Sequence, residues 1–268
     1  MIDRGKFNLL GIQISAVDYE TVVDRVVTAA NHRTALGVSA LAVHGVMTGV
    51  SDREHCHRLN QLELVVPDGQ PVRWALNTLH RVQLRERVYG PNLMLKVCQA
   101  AADAGLPIFF FGSTASTLQT LSKRLLERYP TLQIAGLRAS QFRRLTEEER
   151  DALVDEIRSS GAMITMVGLG CPRQEIWTYE FKDALSMPVL AVGAAFAFHA
   201  GQLAQAPVWM QDRGLEWLYR LGREPLRLWK RYVLLNPAYV ALVTLQAARL
   251  LTLRPTRSTR PGNHQHFG

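Results

Sequence analysis

The chain has 268 residues, enough for one large domain with an appendage, and its 47% hydrophobic against 20% charged residues exclude wholesale disorder. Three widely spaced cysteines, Cys56, Cys98 and Cys171, exclude a disulfide scaffold and suit a reducing compartment. The net charge of +8 is uneven: residues 202–268 hold ten basic and three acidic side chains, so the anionic partner it implies belongs at the C-terminal end.

Residues 1–10 mix charged and apolar side chains without a long apolar core, so no signal peptide is expected. A helix is predicted over residues 19–30, then strands over 36–43 and 62–66. Helices over 71–79 and 92–104 lead to a strand over 108–111 and a helix over 115–129. Thr146 followed by Glu147, Glu148 and Glu149 reads as a capped start for a helix over 146–159. A strand over 162–167, a helix over 174–184 and a strand over 189–192 complete the body. This alternation predicts an α/β fold: a Rossmann-like, mostly parallel sheet with helices on both faces. The expected division is an α/β domain over 1–201, a basic and aromatic helical appendage over 202–253, and a disordered tail over 254–268.

Four strands run into turns of similar chemistry: Pro67-Asp68-Gly69, Gly112-Ser113-Thr114, Gly168-Leu169-Gly170-Cys171-Pro172 and Gly193-Ala194-Ala195. In open α/β sheets the ligand crevice lies at these carboxyl ends, where glycine lets backbone N–H groups approach a phosphate. Asp68 follows an apolar strand and is placed either to act as a base or to cap the next helix. Gln174 and Glu175 fall at the start of a helix, positioned for sugar hydroxyls or a base edge, or for the helix dipole alone. Pro172 and a missing third glycine break the dinucleotide fingerprint, and Asp183 stands only thirteen residues beyond Gly170, which counts against the competing reading, a nucleotide-binding oxidoreductase.

His55-Cys56-His57 reads as ordinary surface or core, because adjacent ligands rarely converge and no second pair stands at zinc spacing. No Asp-x-Asp is present to hold a divalent ion on a diphosphate, so neither a metal nor a cofactor is expected. Trp217, Tyr219 and Trp229 alternate with Arg220, Arg223, Arg227, Lys230 and Arg231 ahead of an uncharged stretch, residues 232–248, interrupted by Pro237. Seventeen residues are short for a membrane span, and the flanking arginines and aromatics fit an interfacial helix. A nucleic-acid partner explains the basic end but neither the glycine loops nor the uncharged stretch.

Together the motifs resemble the WecG/TagA/CpsF glycosyltransferases. The matching pieces are Val65-Val66-Pro67-Asp68-Gly69, Arg87-Val88-Tyr89-Gly90-Pro91-Asn92, Phe110-Phe111-Gly112-Ser113, Gly168 through Trp177, Ala191 through Phe196, and Gly214 through Leu221. The resemblance implies an inverting, metal-independent transfer of an N-acetylhexosamine-type sugar. The implied donor is a UDP-sugar, and the implied acceptor is a polyprenyl-diphosphate-linked sugar at the cytoplasmic face of a bacterial plasma membrane. It puts the base at Asp68 and a sugar-nucleotide contact at Gln174. Gly69, Arg87, Asn92, Gly112, Ser113, Gly168, Gly170, Pro172, Glu175, Gly193, Arg220 and Arg223 are the further binding candidates; a homo-oligomer is left open. Two positions depart from the family pattern: Ser39-Ala40-Leu41 stands in place of Thr-x-Asn, and Phe196-Ala197-Phe198 in place of Phe-Asp-Phe.

Overall fold

The computed structural model describes residues 1–255, 260–262 and 264–268. The chain opens with an antiparallel hairpin, β1 (Asp3–Leu9) and β2 (Ile12–Val17), which the sequence patterns did not predict. Its two-residue turn puts Leu10 and Gly11 at φ 52° and 89°, the twist a two-residue hairpin needs. Leucine is an unusual first residue there, which is why no turn signal is visible.

The main sheet has six parallel strands: β3 (Leu36–Leu41), β4 (Leu64–Pro67), β5 (Ile108–Gly112), β6 (Ile134–Arg138), β7 (Ile164–Gly168) and β8 (Pro188–Ala191), in the order β4-β3-β8-β7-β5-β6. The Rossmann-like parallel sheet expected from alternation is present. β6 was not foreseen: it is a half-exposed edge strand containing glycine and arginine, so it lacks an apolar run. Side chains alternate between faces. Val38, Phe110, Met166 and Leu190 face one apolar cluster; Phe109, Phe111, Val167 and Val189 face another.

The first cluster is closed by α1 (Tyr19–Asn31), α5 (Gly90–Ala104), α6 (Ala115–Arg128) and the short α9 (Ala195–His199). The opposite face is covered by α2 (Val43–Ser51), α3 (Arg53–Asn60), α4 (Gln70–His80), α7 (Glu147–Ser159) and α8 (Arg173–Leu185). α2 and α3 occupy a stretch for which no element was predicted, and α2 takes Val43 from the expected strand. On α8, Trp177 stacks between Phe111 and Phe181 with ring centroids 4.8 and 4.3 Å apart. The expected cap of α7 forms: Thr146 Oγ1 accepts the Glu149 N–H at 3.2 Å, and the Glu149 carboxylate accepts the Thr146 N–H at 2.9 Å.

The last quarter forms α10 (Val208–Asp212), α11 (Glu216–Arg223) and α12 (Pro225–Ala247). α12 lies against α2 and α4. Its Tyr239 is buried and donates to the Pro71 carbonyl at 3.1 Å, while the Gln246 side chain spans the Leu10 N–H and the Asn8 carbonyl at 3.0 and 3.1 Å. Among the described residues no helix is long and apolar enough to cross a membrane.

The tail expected to be disordered is described in part, residues 256–259 and 263 lying outside the described residues. Its end is held: Leu145 N–H donates to the His266 carbonyl at 2.7 Å, Gly268 N–H to that of Arg143 at 2.9 Å, and His266 N–H to the Glu180 carboxylate at 2.8 Å. Buried Glu180 offers a pairing site that composition alone does not reveal.

Candidate active site

A cavity of about 1230 Å³ opens at the carboxyl ends of β3, β4, β7 and β8, with α11 and α12 forming its outer wall. This is where an open α/β sheet gathers backbone N–H groups and helix N-termini. Asp68, Gly69, Arg87, Ser113, Gly168, Gly170, Gln174, Glu175, Gly193 and Arg220 all line it.

Four candidates stand elsewhere. Asn92 is exposed on the first turn of α5, hydrogen-bonded to Tyr19. Pro172 is the N-cap residue of α8. Gly112, at φ 109°, is pressed against Gly168: a Cβ there would sit 2.9 Å from its backbone, so this glycine packs two strand ends together. Arg223 is exposed at the C-terminal end of α11 and donates to the Tyr219 hydroxyl at 3.2 Å.

Asp68 sits where β4 gives way to α4, at a position the apolar strand forces to the sheet's rim. Its Oδ1 accepts the Gly90 N–H at 3.0 Å. Burial raises its carboxyl to about 6; the Arg87 guanidinium pulls against this and the Glu216 carboxylate adds to it. The helix-cap alternative fails, since no side chain caps α4.

Arg87 pairs with Glu216 of α11 at 2.8 Å, donates to Gln211 of α10 at 3.2 Å, and lies over the Tyr89 ring at 4.2 Å. Tyr89 donates its hydroxyl to Glu216 at 3.0 Å and its N–H to the Tyr19 hydroxyl at 2.8 Å. Burial, then Glu216, drives the Tyr89 hydroxyl far above its ordinary pKa, so it remains a donor. Glu216, Gln211 and Tyr89 were not singled out as site residues, although Tyr89 and Glu216 stand inside the family-matching pieces and Glu216 is an acid in a strongly basic segment.

Gln174 accepts the Gly170 N–H at 3.1 Å and donates to Glu175 Oε1 at 2.8 Å; Ser39 donates to the same oxygen at 3.2 Å. Glu175 is fully buried, and burial raises its pKa against these bonds. It therefore holds Gln174 in place from below the cavity. Ser39, at the departure from the family pattern, belongs to this support.

Arg220 lies over the Phe198 ring at 5.9 Å and makes no ion pair among the described residues, while Arg227 pairs with Glu224 at 2.7 Å. The side chains of Lys230 and Arg231 lie outside the described part. The His55-Cys56-His57 run splits: Cys56 Sγ approaches the Gly11 carbonyl at 3.5 Å, His57 meets Tyr179 edge-on, and His55 turns inward, where burial lowers its imidazole to about 4.

A parallel α/β sheet with a partly desolvated carboxylate, arginines and glycine loops at its carboxyl ends is the plan of an enzyme acting on phosphorylated ligands. The family model described as the Glycosyl transferase WecG/TagA/CpsF family matches residues 7–252, and the chain belongs to that family. It is a glycosyltransferase of cell-surface polysaccharide synthesis, working between a nucleotide-sugar donor and a lipid-linked acceptor.

Proposed function

We propose that the protein transfers an N-acetylhexosamine-type sugar from UDP to a polyprenyl-diphosphate-linked sugar, with inversion and without a catalytic metal. The observation that carries this reading is Asp68: a carboxylate at the cavity rim, raised to about 6 and so largely ionised at neutral pH. Its Oδ1 is held by Gly90, which leaves Oδ2 to take the proton. Asp68 removes the proton of the acceptor hydroxyl as that oxygen bonds to the anomeric carbon. The bond from that carbon to UDP breaks on the opposite face, and its electron pair leaves with the diphosphate.

The leaving charge needs donors already in position. The loops at Gly168 and Gly193 lie along the cavity, the Gly170 N–H being taken by Gln174, and Arg220, without a carboxylate partner among the described residues, faces it. Arg87 is committed to Glu216 and supports the wall beside the base. Exposed Trp209, Leu226 and Trp229, near Arg213 and Arg223, support peripheral attachment to the inner face of an anionic membrane, with the lipid-linked acceptor entering past α12.

The test is a screen of UDP-sugars with a polyprenyl-diphosphate-sugar analogue, reading product mass and anomeric configuration. A product one N-acetylated sugar heavier with inverted configuration is expected. Retention of configuration, or thermal stabilisation by NAD in place of UDP, rejects the reading.

A further inference from the structure

Beside the loop from Gly168 to Gln174 at the cavity floor, three side chains converge that glycosyl transfer does not use in common. His55 of α3, Cys171 of the β7–α8 loop and Glu175 of α8 each offer one ligand atom, and the three atoms lie within 4.8 Å of one another. His55 is fully buried with neither ring nitrogen hydrogen-bonded. Glu175 is equally buried: Oε1 serves Gln174 and Ser39, and the Cys171 side chain hydrogen-bonds to the same carboxylate. Buried polar atoms are normally satisfied, so a fully buried imidazole with no partner beside a carboxylate and a cysteine sulfur calls for an explanation. We propose that His55, Cys171 and Glu175 bind a thiophilic divalent cation of the zinc class, tying α3 to the first turn of α8.

The donor set is what selects the metal. Imidazole nitrogen, thiolate sulfur and carboxylate oxygen are the ligands zinc takes, whereas magnesium and calcium prefer oxygen alone. Binding breaks the Cys171 S–H bond, forms a metal–sulfur bond and releases the proton to water. A dication with one thiolate and one carboxylate is neutral, as a buried site requires. The neighbouring buried cation, Arg58, is already paired with Glu54 at 3.1 Å. Ligand atoms around tetrahedral zinc lie about 3.5 Å apart, so the three must draw in by about 1 Å. Cys171 borders the cavity, which gives a water access to the fourth position. Because Oε1 keeps its bonds to Gln174 and Ser39, the cation and the Gln174 support do not compete. The role is structural and separate from the metal-independent transfer.

The experiment uses untagged full-length protein stripped with a chelator and then dialysed free of it. Zinc is titrated against a chromophoric competitor, and cobalt is added as a spectroscopic probe. The expected result is one zinc per chain, a higher melting temperature with zinc but not with magnesium, and a thiolate-to-cobalt charge-transfer band. Cys171→Ser should abolish that band, and His55→Phe should weaken zinc binding by about tenfold or more. Circular dichroism checks that the variants fold; if His55→Phe does not, wild type against Cys171→Ser decides. Failure of the wild type to bind zinc, or a cobalt band that survives Cys171→Ser, overturns the proposal. None of these readouts depends on transferase activity.

Discussion

The carboxyl of Asp68 is strained by its own environment. Its pKa of 3.8 in an open chain becomes about 6 in the fold, chiefly through burial. Between those values the folded protein binds the proton that the unfolded chain has lost, so this group subtracts stability as pH rises through the window and the penalty is complete above it. Asp68→Asn should therefore melt no lower than wild type at pH 7.5 while turnover falls by about 10²–10⁴-fold; activity within a few fold of wild type on folded protein would remove Asp68 as the base. The acid limb of kcat/KM against pH should bend near 6. Glu216 pushes the Asp68 pKa upward, so Glu216→Gln should move that limb to lower pH. An unmoved or rising limb would show that Glu216 has no electrostatic hold on the base.

Among the elements, α7 is the simplest to test, because its capping box closes in both directions on an exposed helix start. Thr146→Ala should cost about 1 kcal/mol, read from denaturant unfolding. α12 carries more. It contributes buried Tyr239 to the cluster formed with Val46, Val72 and Leu76, and it walls the cavity. Truncation after Gly201 should lower the melting temperature as well as abolish transfer to a lipid acceptor, while the UDP binding proposed for the loops of the body persists below that temperature. Undiminished transfer to a lipid-linked acceptor by the truncated chain would exclude α11 and α12 from the site.

For the whole molecule, charge and chemistry are segregated. The nearly neutral body presents the glycine loops, and residues 202–268 carry +7. Each basic residue near an anionic bilayer contributes about 1 kcal/mol, so full-length protein should sediment with anionic liposomes and be released by salt. Binding indifferent to both salt and lipid charge would contradict this. Transfer should persist in excess EDTA when assayed below the melting point. Loss of turnover on folded protein that magnesium restores would show that a metal carries the leaving diphosphate.

The periodicity of apolar runs determined the parallel sheet, because a strand buried on both faces has to be apolar throughout; the Asp68-Gly69 and Gly168 to Glu175 turns were legible for the same reason, as polar residues interrupting such runs. The hairpin, β6 and α2–α3 left no such trace: a Leu-Gly turn, an edge strand and short mixed helices take their conformation from neighbours. What only tertiary structure decided is which distant residues meet. Arg87 and Glu216 are 129 residues apart and share one ion pair, and His55 reaches Cys171 and Glu175 across the chain. No local spacing encodes such encounters, since they depend on how α3, α8 and α11 pack around the ends of a sheet whose strand order is not their order in the chain.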